Sequence, residues 1–477
     1  MSPVSRVLSI TAMVALLIPV CGFAPTPAQS ANVENGPVLD VDIIVTAAPA
    51  YEPLAALRGE ERFPKDAQLL LIHAGKAEPL VTGFAASADA NVSFDGKRVL
   101  FAGKQQADDP WRIWEMTLAD HSLRKLIAGA SDAIRPLYLP SGRLIYGQRT
   151  PQGFQLEAAG VDAADAFAPI DSNAGSALLP LSYLTGSAIP SDVLADGRIL
   201  FESGFPLGSG STPELFLVYS DGSGVESYRC DHGKARWGGR QLANGDVVFT
   251  HGASLARFTS PLAHEEPIAA PHAEYAGAVV ETASGAWLLS TRATNGARFA
   301  LRLWRPGAAT MQTAFADNGM NIVDPVIVAP RNRPKRHPSG LHDWNYANLL
   351  ALDARRSREG DLKTVPASVR METLAGGRAV VTGTAQVEPD GSFFVKAPAD
   401  KPIRFSLLDD KGSVLRQEQG WFWIRRGEQR ICVGCHAGPE RASENRVPAV
   451  LLRTTTPVDL TGSAPAEALK PKTPGGN

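Results

Sequence analysis

Cysteine is the first scarcity. The 477 residues hold four cysteines, and Cys21 falls in a leader that is expected to be removed, leaving Cys230, Cys432 and Cys435. So small and odd a number excludes a scaffold built on disulfides, even in a compartment that permits them. No charge of either sign dominates: 47 Lys and Arg stand against 49 Asp and Glu. There is no field to draw in nucleic acid or an anionic membrane, and neither is expected as a partner. Beyond residue 30 there is no apolar run long enough to span a bilayer. Methionine is rare at 6 residues and leucine-rich amphipathic runs are missing, whereas 44 Gly and 36 Pro punctuate short runs of β-formers. The chain reads as mainly β.

The first 30 residues carry Arg6, an apolar stretch over 8–20 that is short for a membrane span, and small residues at Ala28 and Ser30. This is the pattern of a signal peptide over 1–30, so a periplasmic or secreted product is expected. The rival is a lipoprotein anchored through Cys21, but a lipid-attachment signal calls for a small residue where Val20 stands.

From residue 35 to 330 a loose unit recurs. Five times a small or acidic residue precedes glycine and a run of β-formers: FDGKRVLFAG, LPSGRLIYGQ, LADGRILFES, LANGDVVFTH and TASGAWLLST, with glycines at 96, 142, 197, 245 and 285. The spacings of 46, 55, 48 and 40 residues suit a propeller blade, in which a tight turn feeds a buried strand. Aromatic-rich runs at Trp111, Glu214 and Phe299 read as third strands. With a leading segment near Gln68 and a trailing one near Asn321, the count is six or seven blades, and six is the expectation; a β-sandwich array with coincidental turns is the alternative.

A charged, proline-bearing stretch, RNRPKRHP, opens a linker expected over 331–364. Alternating apolar and polar residues around Asp390-Gly391 and Lys411-Gly412 then predict a small β-sandwich-like domain over 365–463, carrying a C-terminal haem-binding segment. Residues 464–477, rich in Pro, Ala and Lys, are expected to be disordered.

That haem expectation rests on RICVGCHAG. Cys432-x-x-Cys435-His436 is the attachment sequence for c-type haem, in which two thiols bond the porphyrin vinyl groups and the next imidazole ligates the iron. One covalent haem c is expected, held by Cys432, Cys435 and His436, with His436 the axial ligand. A zinc site or a dithiol couple remain as alternatives; zinc needs four ligands and this chain lacks a second Cys pair. For the other face of the iron, no Met follows His436, and Met116, Met311, Met320 and Met371 lie far from it in sequence. His232, His251, His337 and His342 are the histidine candidates. Cys230-Asp231-His232 places three ligand types side by side, although Cys230 also reads as a small buried residue. Trp421-Phe-Trp423 are candidates for a dry wall, and Arg425, Arg426 and Arg430 for propionate partners.

Taken with the propeller repeats, the segments VEPDGSFFVKAPADKPIRFSLLD and RRGEQRICVGCHAGPERASENRVP resemble the α subunit family of hydrazine synthase. The resemblance implies a propeller followed by a middle domain with one Cys-x-x-Cys-His. It also implies a tyrosine ligand to the iron four residues past the motif histidine, and a zinc engaged by that histidine. Here the tyrosine position is Glu440, and a second Cys-x-x-Cys-His for a further haem domain is missing. Both departures point away from hydrazine synthesis.

The expectation is an exported monohaem c-type cytochrome in electron transfer or redox chemistry on a small nitrogen or oxygen species, possible as a haem-dependent oxidoreductase subunit, with a redox partner protein or complex subunit. The alternative is a non-catalytic propeller binding protein with a structural haem. No Ser/His/Asp or paired-carboxylate arrangement supports a hydrolase.

Overall fold

The computed structural model describes residues 40–160, 178–209, 212–229, 231–293, 296–357, 360–434 and 444–462. Among these, six sheets follow one another around a propeller. Five are built from consecutive strands; the first is Ala86–Val92, Arg98–Lys104, Arg112–Thr117 and Leu123–Ile127. Each predicted glycine turn joins the first strand of a blade to its second, or in the last of the five leads into the strand Trp287–Arg292. All five glycines hold positive φ, from 74° to 95°, the region a side chain strains to enter. The aromatic runs are third strands as expected, in Arg112–Thr117, Thr212–Val218 and Ala300–Trp304.

The sixth sheet draws on both ends of the repeat region. Asn321–Ile327 pairs antiparallel with Ile43–Ala48, which pairs with Gln68–His73. The leading and trailing segments are therefore one blade, and their pairing closes the ring without leaving an open edge. Ile43 and Val45 interlock there with Ile322 and Leu288, all fully buried.

Toward the axis, the inner strands carry bulges with positive φ at Asp89, Arg135 and Asp324. Arg62, buried from solvent, bridges Asp89 at 2.5 Å and Asp324 at 2.8 Å. Burial opposes the Arg62 charge, yet Asp324, Tyr51 and Asp89 together hold it more firmly protonated than usual. The segment that carries Tyr51 and Arg62 thus ties the inner strands together.

Two further four-stranded sheets follow. One contains Gln429–Cys432, Tyr346–Ala351, Phe393–Pro398 and Val458–Asp459, the other Arg378–Gln386, Ser368–Ala375, Ile403–Leu408 and Val414–Gln417. Val369, Met371, Val395 and Ile403 form the layer between them and are fully buried. This sandwich differs from the sequence expectation in one respect: the strand Tyr346–Ala351 lies inside the stretch expected as a linker. Its partners, Phe393–Pro398 and Gln429–Cys432, are distant in sequence, so no local hairpin signal announces it.

Nor is the charged stretch after residue 330 a free tether. Arg331 donates its N–H to the Phe94 carbonyl and places its guanidinium 4.4 Å from the Phe94 ring centre. Lys335 donates to the Ala195 carbonyl at 3.0 Å, and Gly340 to Asp221 Oδ2 at 3.2 Å. It runs along the blade turns and leads to the sandwich, which meets the second and third of those five blades at Pro180 and Gly222.

Candidate functional site

Propeller and sandwich meet across a buried seam. Trp423, fully buried, packs with Phe201 and Val218 of a blade and donates its indole N–H to the Gly222 carbonyl at 2.9 Å. Arg425 is 1% exposed, pairs with Asp400 at 2.9 Å and donates to the Pro180 carbonyl. Burial raises the Asp400 carboxyl and Arg425 and Arg426 pull it back. Glu428 accepts the N–H of Gly224 at 3.2 Å.

Beside this seam lies a cavity of about 280 Å³, near the lower size limit of small-molecule sites, ~300 Å³. The propeller contributes Phe205, Leu207 and His232; the sandwich contributes Phe422, Arg430 and Cys432. The strand Gln429–Cys432 explains the last two. Side chains alternate along a strand, so Gln429 and Ile431 face outward, Ile431 65% exposed, while Arg430 and Cys432 turn inward. Parallel pairing of Ala351 with Cys432, and the Leu352 N–H on the Cys432 carbonyl at 2.9 Å, hold the register. Burial pushes the Cys432 thiol above its ordinary pKa.

Past Cys432 the chain squeezes by a turn. A Cβ on Gly434 would stand 2.7 Å from both the Cβ and the carbonyl oxygen of Arg356. Only glycine fits this approach. Chain leaves the described residues at 434 and returns at Glu444, whose carboxylate meets the same Arg356 at 3.4 Å. Arg446 then pairs with Asp390, and Ala449 donates its N–H to Asp390 Oδ2 at 2.7 Å. Burial disfavours the Asp390 charge, but the Ser392 hydroxyl, the Ala449 and Ser392 N–H groups and Arg446 outweigh it and hold the carboxyl down at about 2.

On the propeller side, the loop carrying His232 is pinned at both shoulders. Asp231 forms a two-pronged pair with Arg236 at 2.7 and 2.8 Å. Lys234 donates its N–H to Glu214 Oε1 at 2.7 Å. Glu214 is itself buried, which pushes its carboxyl up to about 6 although Lys234 and Arg236 oppose the shift. The His232 ring lies flat on Phe205, centres 4.1 Å apart and planes 12° apart.

The sequence candidates separate on this geometry. Cys432 and His232 line one cavity. His251 is engaged by Glu265, His337 Nε2 lies 2.5 Å from the Asp196 carbonyl oxygen, and His342 stacks on Trp344. Met116 and Met371 are core residues of a blade and of the sandwich. Trp421 and Phe422 line the cavity, whereas Trp423 belongs to the seam. Of the three arginines, Arg425 and Arg426 face Asp400, and Arg430 lines the cavity while paired with Glu428 at 2.8 Å. Cys230, Cys435, His436 and Glu440 lie outside the described residues. Phe205 and Leu207 gave no signal in the sequence, because their role arises only where two domains face each other.

Among the described residues, a nearly all-β chain with a closed propeller, a sandwich docked on its blades and a cavity at the junction lined in part by Cys432 defines a propeller and middle-domain architecture. Residues 352–437 match the family of the hydrazine synthase alpha subunit middle domain. Hydrazine synthase subunit alpha of Kuenenia stuttgartiensis is 38% identical over 61 residues, which is 13% of this chain and 8% of that protein. The Kuenenia stuttgartiensis hydrazine synthase structure superposes with a TM-score of 0.75 at 16% identity, over 87% of this chain and 71% of that one. TolB from Acinetobacter baumannii gives a TM-score of 0.44 at 12% identity, over 62% and 67%. The likeness to that middle-domain family is carried by residues 352–437, and the chain's match spans 8% of the length of the curated relative.

Proposed function

We propose that the chain is an exported monohaem c-type cytochrome, acting in electron transfer or in redox chemistry on a small nitrogen or oxygen species. The observation that carries this is the placement of Cys432: the first cysteine of a Cys-x-x-Cys-His motif faces an apolar cavity between two domains. The match to the middle-domain family runs to residue 437 and so includes the whole motif.

The residue types of the motif suit the group. Cys432 and Cys435 would hold the porphyrin through thioethers and His436 would ligate the iron. Phe205, Leu207 and Phe422 give the space Cys432 faces an apolar lining, and a low dielectric there would favour the less charged state of a group it encloses. Arg430 sets a cation at the rim, held by Glu428 at 2.8 Å. Bound haem supplies a one-electron iron couple, tuned by its axial ligands and by this burial.

Glu440 stands where the family resemblance implies a tyrosine ligand, which argues for a task other than hydrazine synthesis. The designation of the curated relative as a subunit supports a partner protein here too. No helix among the described residues is long and apolar enough to cross a membrane, and the leader over 1–30 supports export.

The test is expression of the full chain in a host with haem-maturation machinery, followed by a pyridine haemochrome spectrum of the parent and of Cys432→Ala. A c-type spectrum with about one haem per chain in the parent, and altered or absent in the variant, is expected. A colourless parent refutes the proposal.

A further inference from the structure

We infer that the basic stretch 331–337, laid across the blade turns, is a docking strip for a protein partner that presents a row of acidic side chains. The inference rests on the reading above only for there being a partner, and no haem residue enters it.

Charge comes first. The stretch holds Arg331, Arg333, Lys335, Arg336 and His337, and no Asp or Glu stands between Asp324 and Asp343. The three arginines and the lysine are exposed. Carboxylates of the turns beneath are engaged elsewhere: Asp196 pairs with Arg198 at 2.8 Å, Asp221 accepts from Ser339 and Gly340, and Asp95 accepts from the Ser93 hydroxyl and the Lys97 N–H. Among the described residues, no carboxylate lies at ion-pair distance from Arg331, Arg333 or Lys335. The guanidinium groups of Arg331 and Arg333 lie 4.4 and 5.8 Å from the centre of one Phe94 ring, so two cations share a single support. Desolvation, and then Arg240, lower the Arg331 pKa from the usual arginine value while Asp192 opposes them, as befits a cation short of a counter-ion.

The strip is also fixed in a drawn-out form. Its backbone is tied to the first and third blades, by the Arg331 N–H on the Phe94 carbonyl at 2.9 Å and the Lys335 N–H on the Ala195 carbonyl at 3.0 Å. His337 Nε2 lies 2.5 Å from the Asp196 carbonyl oxygen, and prolines at 330, 334 and 338 restrict the chain further. From Arg331 to Arg336 the line of cations reaches up to ~17 Å. A small oxyanion touches only neighbouring cations on such a line, because the tied backbone does not let them converge. A row of carboxylates on a protein engages them together, and cations fixed beforehand lose little freedom on binding. A lipid surface suits the strip less: no large apolar side chain is exposed within 331–340, and the adjoining turns carry Asp95 and Asp196.

The probe is a fluorescein-labelled decaglutamate peptide, titrated by anisotropy against the full-length chain, with haem content measured on the same samples. The parent is expected to bind at low salt, with affinity falling steeply as sodium chloride rises. Arg331→Gln/Arg333→Gln/Lys335→Gln is expected to weaken binding at least ten-fold and to flatten the salt dependence. Arg378→Gln/Lys401→Gln/Lys411→Gln, which removes three exposed cations of the sandwich, is expected to change it by less than about two-fold. A parent that does not bind, or equal weakening in the two triple variants, overturns the inference. So does displacement of the peptide by sulfate well beyond chloride at equal ionic strength, which would make the strip a small-anion site. Strip-dependent binding to phosphatidylglycerol vesicles that is tighter than binding to the peptide would make it a lipid site and overturns the inference too. Should the first variant fail to fold, Arg333→Gln/Lys335→Gln, which leaves Arg331 on Phe94, decides: unchanged affinity there overturns the strip. Strip-dependent binding by a colourless parent sustains the strip while refuting the haem reading, and a haem-loaded parent that ignores the peptide does the reverse.

Discussion

The indole N–H of Trp423 donates to the carbonyl of Gly222 at 2.9 Å, joining the sandwich to a propeller blade at a point where Trp423 has no exposed surface. Truncating it should cost what large aromatic deletions in cores cost, about 3–5 kcal/mol. Trp423→Ala is expected to split the unfolding transition into separate propeller and sandwich steps by calorimetry. Trp423→Phe keeps most of the packing but leaves the Gly222 carbonyl without its donor, a loss nearer ~1 kcal/mol. Equal effects of the two would show that the hydrogen bond, and not the packing, holds the seam.

Glu214 should give stability a slope near neutral pH. Its carboxyl is raised from 4.5 to about 6, by burial. The folded chain therefore binds this proton more tightly than the unfolded chain. Its contribution is fully present below about 4.5 and is lost as pH rises through about 6. The amount is of order 2 kcal/mol, from the size of the shift. Denaturant midpoints of Glu214→Gln, which keeps an acceptor for Lys234, should lose that slope between these pH values. An unchanged slope would place the titration on another group.

Asp390 acts in the opposite sense. Its folded-state carboxyl is lowered to about 2, so its stabilisation is present above the unfolded value of 3.8 and is lost as pH falls toward 2. Asp390→Asn is expected to lower stability at neutral pH by about 1–3 kcal/mol, the cost of losing a charge-assisted contact. The difference from the parent should shrink on acidification.

Gly197 and Gly285 offer a matched pair. Both hold positive φ, 89° and 76°, but a Cβ at 197 would meet the Lys335 carbonyl oxygen at 2.0 Å, while 285 has open space. Gly285→Ala should cost only the left-handed backbone penalty, about 1–2 kcal/mol. Gly197→Ala should cost several kcal/mol more, the extra being displacement of the linker from the blade turn. Matching melting temperatures would mean that the linker contact contributes nothing.

Gly434→Ala tests the entry to the motif. With Arg356 2.7 Å from the new Cβ, the backbone must shift just ahead of Cys435. Haem content per chain is expected to fall at least several-fold, while Gly129→Ala, which has nothing within 4 Å, should leave it unchanged. Equal content in both variants would show that the approach to Arg356 is not needed for attachment.

Much of the propeller was legible because its signals are local. An Asp-Gly or Asn-Gly turn followed by alternating apolar residues specifies its own hairpin, and five blades could be placed from glycines alone. The sixth could not be counted so simply, since Asn321–Ile327 and Ile43–Ala48 become neighbours only when the ring closes. Tyr346–Ala351 was hidden for the same reason: its partners lie at Phe393–Pro398 and Gln429–Cys432. At the site, the motif cysteine stood out by spacing. His232 stood out only by adjoining Cys230 and Asp231, and nothing in that local pattern says that it shares a cavity with Cys432.

The amino-acid order by itself determined a mainly β chain with repeated glycine turns and a single Cys-x-x-Cys-His near the carboxyl end, since turn chemistry and ligand spacing act over a few residues. Which side chains share a cavity was decided only by tertiary structure. Cys432 and His232 come from separate domains, and their meeting depends on the seam at Trp423 and on a linker laid along the blade turns, contacts that join residues up to hundreds of positions apart.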